Sequence, residues 1–256
     1  MNTFYQEIGS EIEIFVNCFR KQLPLLIKGP TGCGKSQFVH HMAERLNVPL
    51  IQIACNEDTN SADLLGRFLI KGNETVWHDG PVTKAVREGA ILYLDEIAEA
   101  REDVVVALHP LTDHRRELFL DRQNETLKAP KNFMCVASFN PGYQKGFREM
   151  KPSTRQRFVT ISMNYPSVEN ETSILQQVTG ADRTNCEKLV RFAHKLRSLQ
   201  QLKLRESVST RLLVNVLSLN QSGIQMRLAC RVGIAEVLSD DGQTVSALVD
   251  LVNLHF

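Results

Sequence analysis

A glycine-rich segment, GPTGCGKS at residues 29–36, has the residue types and spacing of a phosphate-binding loop. Its glycines let backbone N–H groups surround a phosphate without a Cβ in the way. A helical pattern begins at Lys35, and the N-terminus of that helix would add partial positive charge. Lys35 would reach the β- and γ-phosphates of a nucleotide, and the Ser36 hydroxyl would bind Mg²⁺. The predicted nucleotide-binding residues are Gly29, Pro30, Thr31, Gly32, Cys33, Gly34, Lys35 and Ser36.

An acidic pair, Asp95 and Glu96, ends the apolar run AILYL. That run predicts a buried strand that delivers Asp95 at its carboxyl end, the edge where ligands collect in open parallel sheets. Asp95 would hold the Mg²⁺, and Glu96 would polarise an attacking water as general base. The alternative is an acidic pair that only caps the next helix. The phosphate loop 60 residues upstream favours the catalytic interpretation.

Three more polar residues stand at the edges of apolar runs. Asn140 ends the run NFMCVASFN, where it could orient the attacking water or simply form a turn before Pro141. Arg155 and Arg157 precede the run FVTISM, and neither has an obvious carboxylate beside it in the sequence. Their planar guanidinium groups suit phosphate oxygens, although two ordinary surface arginines are the alternative.

Five short apolar runs predict the strands that position these residues, at 23–29, 48–55, 90–96, 132–140 and 157–163. Helical patterns separate the runs, one from Lys35 to Leu46 and another that starts at Pro81 and stops at Gly89. This alternation predicts an α/β fold with a mainly parallel sheet covered on both faces. Apolar spacing over the first 20 residues predicts a helix before the sheet.

Two segments interrupt the alternation, at 67–78 and 115–130, and each predicts a β-hairpin that projects from the α/β body. After Met163 the strands stop, and helical patterns cover 167–179, 183–200, 209–221, 224–238 and 243–254. Ser167, Asp182 and Ser209 are the predicted helix caps. We therefore predict an α/β domain at 1–165 and a small all-helical domain at 166–256.

The composition argues against several classes of protein. A formal net charge of +1 without a dense Lys/Arg run gives little attraction for nucleic acid. No apolar run is long enough to span a bilayer, and the N-terminus is too acidic and polar for a signal peptide. Six cysteines without a CxxC pair predict free thiols in a reducing compartment, hence a cytoplasmic protein. The seven histidines show no metal-ligand spacing.

Together the motifs resemble those of the AAA+ ATPases. The resemblance rests on the phosphate loop, LYLDE at 92–96, SFNP at 138–141, RQRF at 155–158 and the helical C-terminal region. It implies a P-loop AAA+ core with a helical lid, and ATP and Mg²⁺ as cofactors. It also implies that Asn140 is sensor 1 and that Arg211, otherwise a surface helix cation, is sensor 2. Arg157 would be the arginine finger that acts on a neighbouring subunit, with Arg155 as the second candidate.

The two hairpins are similar to those of the MoxR branch, and the run at 56–100 looks more specifically like the CbbQ/NorQ/NirQ group. Within this group the overall sequence looks closer to CbbQ. The resemblance implies a homo-oligomeric ring, usually a hexamer, and a partner that carries a von Willebrand factor A domain. CbbQ works with CbbO to reactivate inhibited Rubisco, and NorQ works with NorD on nitric oxide reductase. We therefore expect a Rubisco-activating motor, with activation of nitric oxide reductase as the alternative.

Other functions stay open at this point. A generic MoxR-type chaperone fits the same motifs, whereas a nucleic-acid motor or a scaffold without ATP turnover fits them less well. The first predicted hairpin carries Phe68 and Trp77, the single tryptophan. These side chains either contact a partner protein or pack on the hairpin's own body.

Overall fold

The computed structural model of the chain describes residues 3–141, 150–199 and 206–256. The described residues form two compact units. The first comprises the described parts of Met1–Thr3, Gly9–Gly29 and Lys35–Ser162, and the second those of Phe4–Ile8, Pro30–Gly34 and Met163–Phe256. The proposed domain boundary between residues 165 and 166 stays a prediction, and two short N-terminal segments group with the second unit.

A parallel sheet forms the centre of the first unit. The strands of this unit are β1 (Leu25–Lys28), β2 (Leu50–Ala54), β3 (Gly66–Lys71), β4 (Glu74–Asp79), β5 (Ile91–Asp95), β6 (Glu117–Leu120), β7 (Glu125–Lys128), β8 (Met134–Phe139) and β9 (Val159–Ser162). The sheet has the order β2-β5-β8-β1-β9, and all its neighbouring strands are parallel. Its five strands fall within the five predicted apolar runs, which confirms the α/β fold.

The central strands are buried on both faces. The first four residues of β5 are fully buried, and every residue of β8 is buried, as expected where helices cover a parallel sheet. The helices of this unit are α1 (Glu11–Lys21), α2 (Lys35–Leu46), α3 (Ser61–Leu65), α4 (Pro81–Glu88), α5 (Glu102–Ala107) and α6 (Pro152–Arg155). Short 3₁₀ turns occupy Ile97–Glu99, His109–Leu111 and Asp121–Gln123. Pro81 begins α4 and Gly89 ends it in the left-handed conformation, as predicted.

Both predicted hairpins form. Strand β3 pairs with β4, and Phe68 lies opposite Trp77 with ring centroids 5.2 Å apart. Trp77 packs partly buried against the core of the first unit and donates its indole N–H to Asp79, whereas Phe68 is 46% exposed. Trp77 therefore fits the alternative in which the hairpin packs on its own body, and contact of Phe68 with a partner protein stays a prediction. Strand β6 pairs with β7 through a turn that ends at Asn124 in the left-handed conformation.

The second unit is helical. Its helices are α7 (Val168–Thr179), α8 (Arg183–Ser198), α9 (Thr210–Gln221), α10 (Met226–Cys230), α11 (Glu236–Leu238) and α12 (Gly242–His255). The side chains of Ser167, Asp182 and Ser209 accept hydrogen bonds from backbone N–H groups at the starts of α7, α8 and α9, as predicted. The single helix expected at 224–238 is instead interrupted by the π-helical stretch Arg231–Ala235. Within that stretch Gly233 packs so closely that a Cβ would lie 2.8 Å from a methyl group of Val216.

The N-terminal helix is shorter than predicted. It begins at Glu11, and the apolar residues of Phe4–Ile8 lie outside any helix and within the second unit. Apolar spacing of 3.6 residues therefore continued beyond the helical part of the chain, and Gly9 and Ser10 separate the two parts. None of the helices in the described residues has the length and apolar character needed to cross a membrane.

Candidate functional site

The phosphate loop joins β1 to α2, and Lys35 is the first residue of α2. Gly32 and Gly34 adopt positive φ angles of 67° and 103°, which residues with a Cβ rarely adopt. The Lys35 side chain lies folded in toward the sheet and is only 7% exposed. Its Nζ donates to the Gly29 carbonyl at 2.9 Å and to Asn140 Oδ1 at 2.5 Å. The ammonium group is thereby held at the carboxyl edge of β1 and β8.

Asp95 ends β5 at the same edge of the sheet and accepts hydrogen bonds on both carboxylate oxygens. Oδ1 accepts from Ser138 Oγ at 2.6 Å and from the Tyr93 hydroxyl at 2.8 Å. Oδ2 accepts from Ser36 Oγ at 3.1 Å and from Gln52 Nε2 at 3.4 Å. The two predicted metal-binding residues, Ser36 and Asp95, are therefore adjacent, and the remaining groups fix the direction in which the carboxylate points.

Glu96 has an unusual backbone conformation for a residue with a side chain. Its φ and ψ angles of 56° and 46° lie in the left-handed region, which costs conformational free energy in a residue with a Cβ. The following contacts offset this cost. Its backbone N–H donates to Ser138 Oγ at 3.2 Å, and its Oε1 accepts from Asn140 Nδ2 at 3.2 Å. Asn140 therefore bonds to Lys35 through its oxygen and to Glu96 through its nitrogen.

A hydroxyl and a carboxylate are the oxygen ligands that Mg²⁺ prefers, and this ion usually keeps several waters and shares the phosphates of a bound nucleotide. Within the described part of the chain no group of three or more His, Cys, Asp or Glu side chains could hold a metal ion. The pair formed by Ser36 and Asp95 therefore fits Mg²⁺ bound together with a nucleotide, and it does not fit a cage made of protein ligands alone.

Sequence reasoning missed three residues of this network, Tyr93, Ser138 and Gln52. Tyr93 and Ser138 are fully buried, and burial raises the pKa of the Tyr93 phenol well above its ordinary value, so the hydroxyl stays a donor. Gln52 on β2 accepts a hydrogen bond on its Oε1 from His40 Nε2 at 2.8 Å. For Tyr93 and Ser138 the available signal was a polar residue within a buried apolar strand, since such a residue needs a hydrogen-bond partner, whereas Gln52 is exposed.

The two arginines of STRQRF have different surroundings. Arg155 ends α6, is exposed, and places its guanidinium carbon 5.8 Å from the ring centroid of Phe139. Arg157 forms an ion pair with Asp113 at 3.2 Å and is 30% exposed. No carboxylate stands beside either arginine in the sequence, but the fold brings Asp113 to Arg157 from 44 residues away in the chain.

The pairing of Arg157 is incomplete within the described residues, where its Nε is buried without a hydrogen-bond partner. Asp113 is shared with Arg115, whose Nη2 lies 2.7 Å from Oδ2, and the hydrogen bonds of Arg115 hold the pKa of the Asp113 carboxyl well below its usual range. The segment DHRREL at 113–118 thus contributes the carboxylate that pairs with Arg157. Arg211, the remaining predicted site residue, is exposed near the start of α9 in the second unit.

Two family models match the chain. Residues 24–158 match the AAA domain of the dynein-related subfamily, and residues 171–255 match the CbbQ/NirQ/NorQ C-terminal domain. The chain belongs to the CbbQ/NirQ/NorQ family of AAA ATPases. It is therefore a nucleotide-binding protein and an ATPase, as the motifs indicate.

Relatives within the family cover nearly the whole chain. The denitrification regulatory protein NirQ of Pseudomonas aeruginosa is 53% identical, over 98% of this chain and 97% of that protein. Protein NorQ of Paracoccus denitrificans is 50% identical over 99% and 94%, and protein CbbQ of Hydrogenophilus thermoluteolus is 47% identical over 93% and 89%. The identities to NirQ and NorQ exceed that to CbbQ, contrary to the expected nearness to CbbQ.

A solved structure supports the fold of this ATPase family. It is that of a putative ATPase from Cytophaga hutchinsonii, which matches 94% of this chain and 80% of its own length with a TM-score of 0.55. At 14% sequence identity the likeness concerns the fold alone.

Proposed function

We propose that this ATPase is the motor subunit of a NirQ/NorQ-type remodelling machine that activates nitric oxide reductase together with a partner carrying a von Willebrand factor A domain. The observation that carries the choice of target is the order of identities, 53% to NirQ and 50% to NorQ against 47% to CbbQ. Activation of Rubisco with a CbbO-like partner is the second candidate, since the CbbQ relative matches 93% of the chain.

The nucleotide site is built on the carboxyl edge of the sheet. Backbone N–H groups of residues 29–36 surround the phosphates of ATP, and Lys35 leaves Asn140 and Gly29 to contact the β- and γ-phosphates. Ser36 and Asp95 hold Mg²⁺, which when bound neutralises negative charge on the phosphates. The hydrogen bonds from Tyr93 and Ser138 keep the Asp95 carboxylate aimed at this position.

Hydrolysis requires a water placed in line with the γ-phosphate. Glu96 accepts a proton from that water, and Asn140 orients it, because Asn140 is hydrogen-bonded both to Glu96 and to Lys35. The left-handed backbone at Glu96 is held by the Ser138 hydroxyl, so the carboxylate is positioned before substrate arrives. Arg211 is assigned to the γ-phosphate of its own subunit by resemblance.

A neighbouring subunit completes the site. Positive charge is needed where the phosphoryl group gains negative charge in the transition state, and Arg157, with Arg155 as the second candidate, supplies it across a head-to-tail interface. Such an interface closes into a ring, for which a hexamer is proposed. The partial exposure of Arg157 supports this assignment, since 30% of its side chain stays accessible to a neighbouring subunit although it pairs with Asp113.

The first hairpin gives the machine a surface for other proteins. Phe68, Ile70 and Val76 are 46%, 82% and 41% exposed on its two strands. Apolar side chains on a projecting element favour contact with the adaptor or the target protein. A cytoplasmic location is proposed as well, because all six cysteines are buried and free.

The experiment is a two-target assay of this protein co-purified with its von Willebrand-type partner. Inactive nitric oxide reductase and inhibited Rubisco are each incubated with ATP and the complex, and the Glu96→Gln variant serves as the control without hydrolysis. We expect ATP-dependent recovery of nitric oxide reduction and none of carboxylation. Recovery of carboxylation alone would transfer the function to Rubisco, and stimulation of ATPase activity by DNA would point to a nucleic-acid motor.

A further inference from the structure

The tip of the phosphate loop contacts a buried polar network in the second unit that no motif identifies. Pro30–Gly34 belongs to this unit, and the Tyr165 hydroxyl donates to the Thr31 carbonyl at 2.9 Å. Burial raises the pKa of Tyr165 to about 12, so the phenol keeps its proton at any working pH and acts as a donor. A tyrosine outside the loop therefore fixes one of the loop's peptide groups.

Fixing this peptide group determines the direction of the next N–H. In a trans peptide the carbonyl and the N–H that follows point in opposite directions, so the Thr31 carbonyl sets the direction of the Gly32 N–H. Gly32 itself has a φ of 67°, and a Cβ there would lie 2.5 Å from Ser209 Cβ. The loop tip is thus confined by Tyr165 on one side and by the cap residue of α9 on the other.

Tyr165 is in turn held by an arginine and a carboxylate. The Arg197 guanidinium carbon lies 4.0 Å from the centroid of the Tyr165 ring, close enough for stacking. Arg197 bonds to both oxygens of Glu171, at 2.6 Å and 2.8 Å, and its Nε donates to the Val208 carbonyl at 2.8 Å. The Glu171 side chain is fully buried and that of Arg197 is 10% exposed.

The same carboxylate reaches the start of α9. Thr210, its first residue, donates its hydroxyl to Glu171 Oε1 at 2.6 Å, and His194 lies 3.1 Å from Oε2. Arg211 is the next residue after Thr210. A continuous series of contacts, hydrogen bonds and one stacking contact, therefore runs within the second unit from the Thr31 carbonyl through the side chains of Tyr165, Arg197 and Glu171 to the N-terminus of α9.

We propose that Tyr165 and Arg197 are positioning residues for nucleotide binding, which hold the N–H groups of the phosphate-loop tip in the orientation that binds phosphate. Arg197 acts through the Tyr165 ring and never touches the nucleotide. The inference rests on the proposed role of residues 29–36. A rigid loop binds ground state and transition state alike, so its loosening raises the KM for ATP and leaves kcat largely unchanged.

Two conservative variants test this role. Tyr165→Phe removes one oxygen and keeps the ring, and Arg197→Lys keeps the charge but loses the planar group that stacks and bonds bidentately. For Tyr165→Phe the Kd and the KM for ATP should each rise roughly twofold to tenfold, the range expected for one hydrogen bond, with kcat within about twofold of wild type. Arg191→Lys is the matched control, because Arg191 lies on the same helix in an exposed pair with Glu187.

The double variant separates positioning from a merely structural role. Since Arg197 acts through Tyr165, the KM of the double variant should be no higher than that of the worse single variant. Thermal unfolding is recorded in parallel. A lowered melting temperature with an unchanged Kd for ATP in Tyr165→Phe, or additive effects on KM, would overturn the proposal. If Arg197→Lys does not fold, Tyr165→Phe alone decides, through its Kd.

The assignment of residues 29–36 as the phosphate-binding loop is tested separately by Lys35→Ala. Loss of ATP binding in Lys35→Ala with normal binding in Tyr165→Phe would refute the positioning role and leave the proposed function intact. Normal ATP binding in Lys35→Ala would instead refute the assignment of the loop itself.

Discussion

Ser138→Ala is the substitution that most sharply tests how the acidic pair is organised. The hydroxyl is fully buried, donates to Asp95 at 2.6 Å and accepts from the Glu96 backbone at 3.2 Å. A hydrogen bond to a charged group contributes about 1.5–3 kcal/mol and a neutral one about 1 kcal/mol. If about 2 kcal/mol of this appears in the transition state, kcat falls about 30-fold.

The assay is steady-state ATP hydrolysis at saturating ATP over a range of Mg²⁺ concentrations. We expect a lower kcat and a higher Mg²⁺ requirement, while binding of ATP without Mg²⁺ stays unchanged because Ser138 has no contact with the phosphate loop in the described hydrogen bonds. Thr83→Val is the matched control, since Thr83 is fully buried in the same unit and bonds to the Leu65 carbonyl. Wild-type turnover in Ser138→Ala, or a loss equal to that in Thr83→Val, would refute the reasoning.

Three further predictions follow from the described contacts. Glu96→Gln should bind ATP normally and hydrolyse it about 10²–10⁴-fold more slowly, measured by nucleotide binding and single turnover; near-normal turnover would exclude Glu96 as the base. The pKa of Asp113 in the folded protein lies below its ordinary value of 3.8. Its ion pairs therefore stabilise the fold fully above pH 3.8, and this stabilisation is lost as the pH falls through the folded-state pKa. Asp113→Asn should therefore lower the melting temperature at pH 7, by a margin that shrinks as the pH falls below 3.8. A margin that does not depend on pH would contradict this. Burial raises the pKa of the Cys55, Cys135 and Cys230 thiols to about 12, and all six cysteines are buried. A thiol reagent at pH 8 should therefore label the cysteines only after denaturation. Fast labelling of Cys55, Cys135 or Cys230 in the native protein would be contrary evidence.

Local patterns predicted the parts of the fold that local forces decide. The five apolar runs, the turn at Asn124 and the caps of α7, α8 and α9 are set by residues close together in the chain, and all appear in the structure. The phosphate loop and the acidic pair belong to this class, because each is one strand followed by its own turn. The helix pattern before Glu11 misled, since periodicity alone does not say where a helix begins.

The parts that sequence reasoning missed depend on pairing across the sheet or on distant segments. Ser138 meets Asp95 only because β8 lies beside β5 in a register that pairs Leu94 with Ala137. Arg157 meets Asp113 across 44 residues. Such contacts leave no periodic signal in one sequence, and a polar residue inside an apolar strand is the only local indication that a partner exists.

The most direct measurement of the central claim is ATP hydrolysis by mixtures of two inactive variants, Glu96→Gln and Arg157→Ala. If the arginine acts on the neighbouring subunit, a site is active when its own subunit keeps Glu96 and its neighbour keeps Arg157. Random assembly of equal amounts then restores about one quarter of wild-type activity per site, since each condition holds for half the subunits. Activity that stays at the mean of the two separate variants, in mixtures shown to co-assemble, would contradict a shared site.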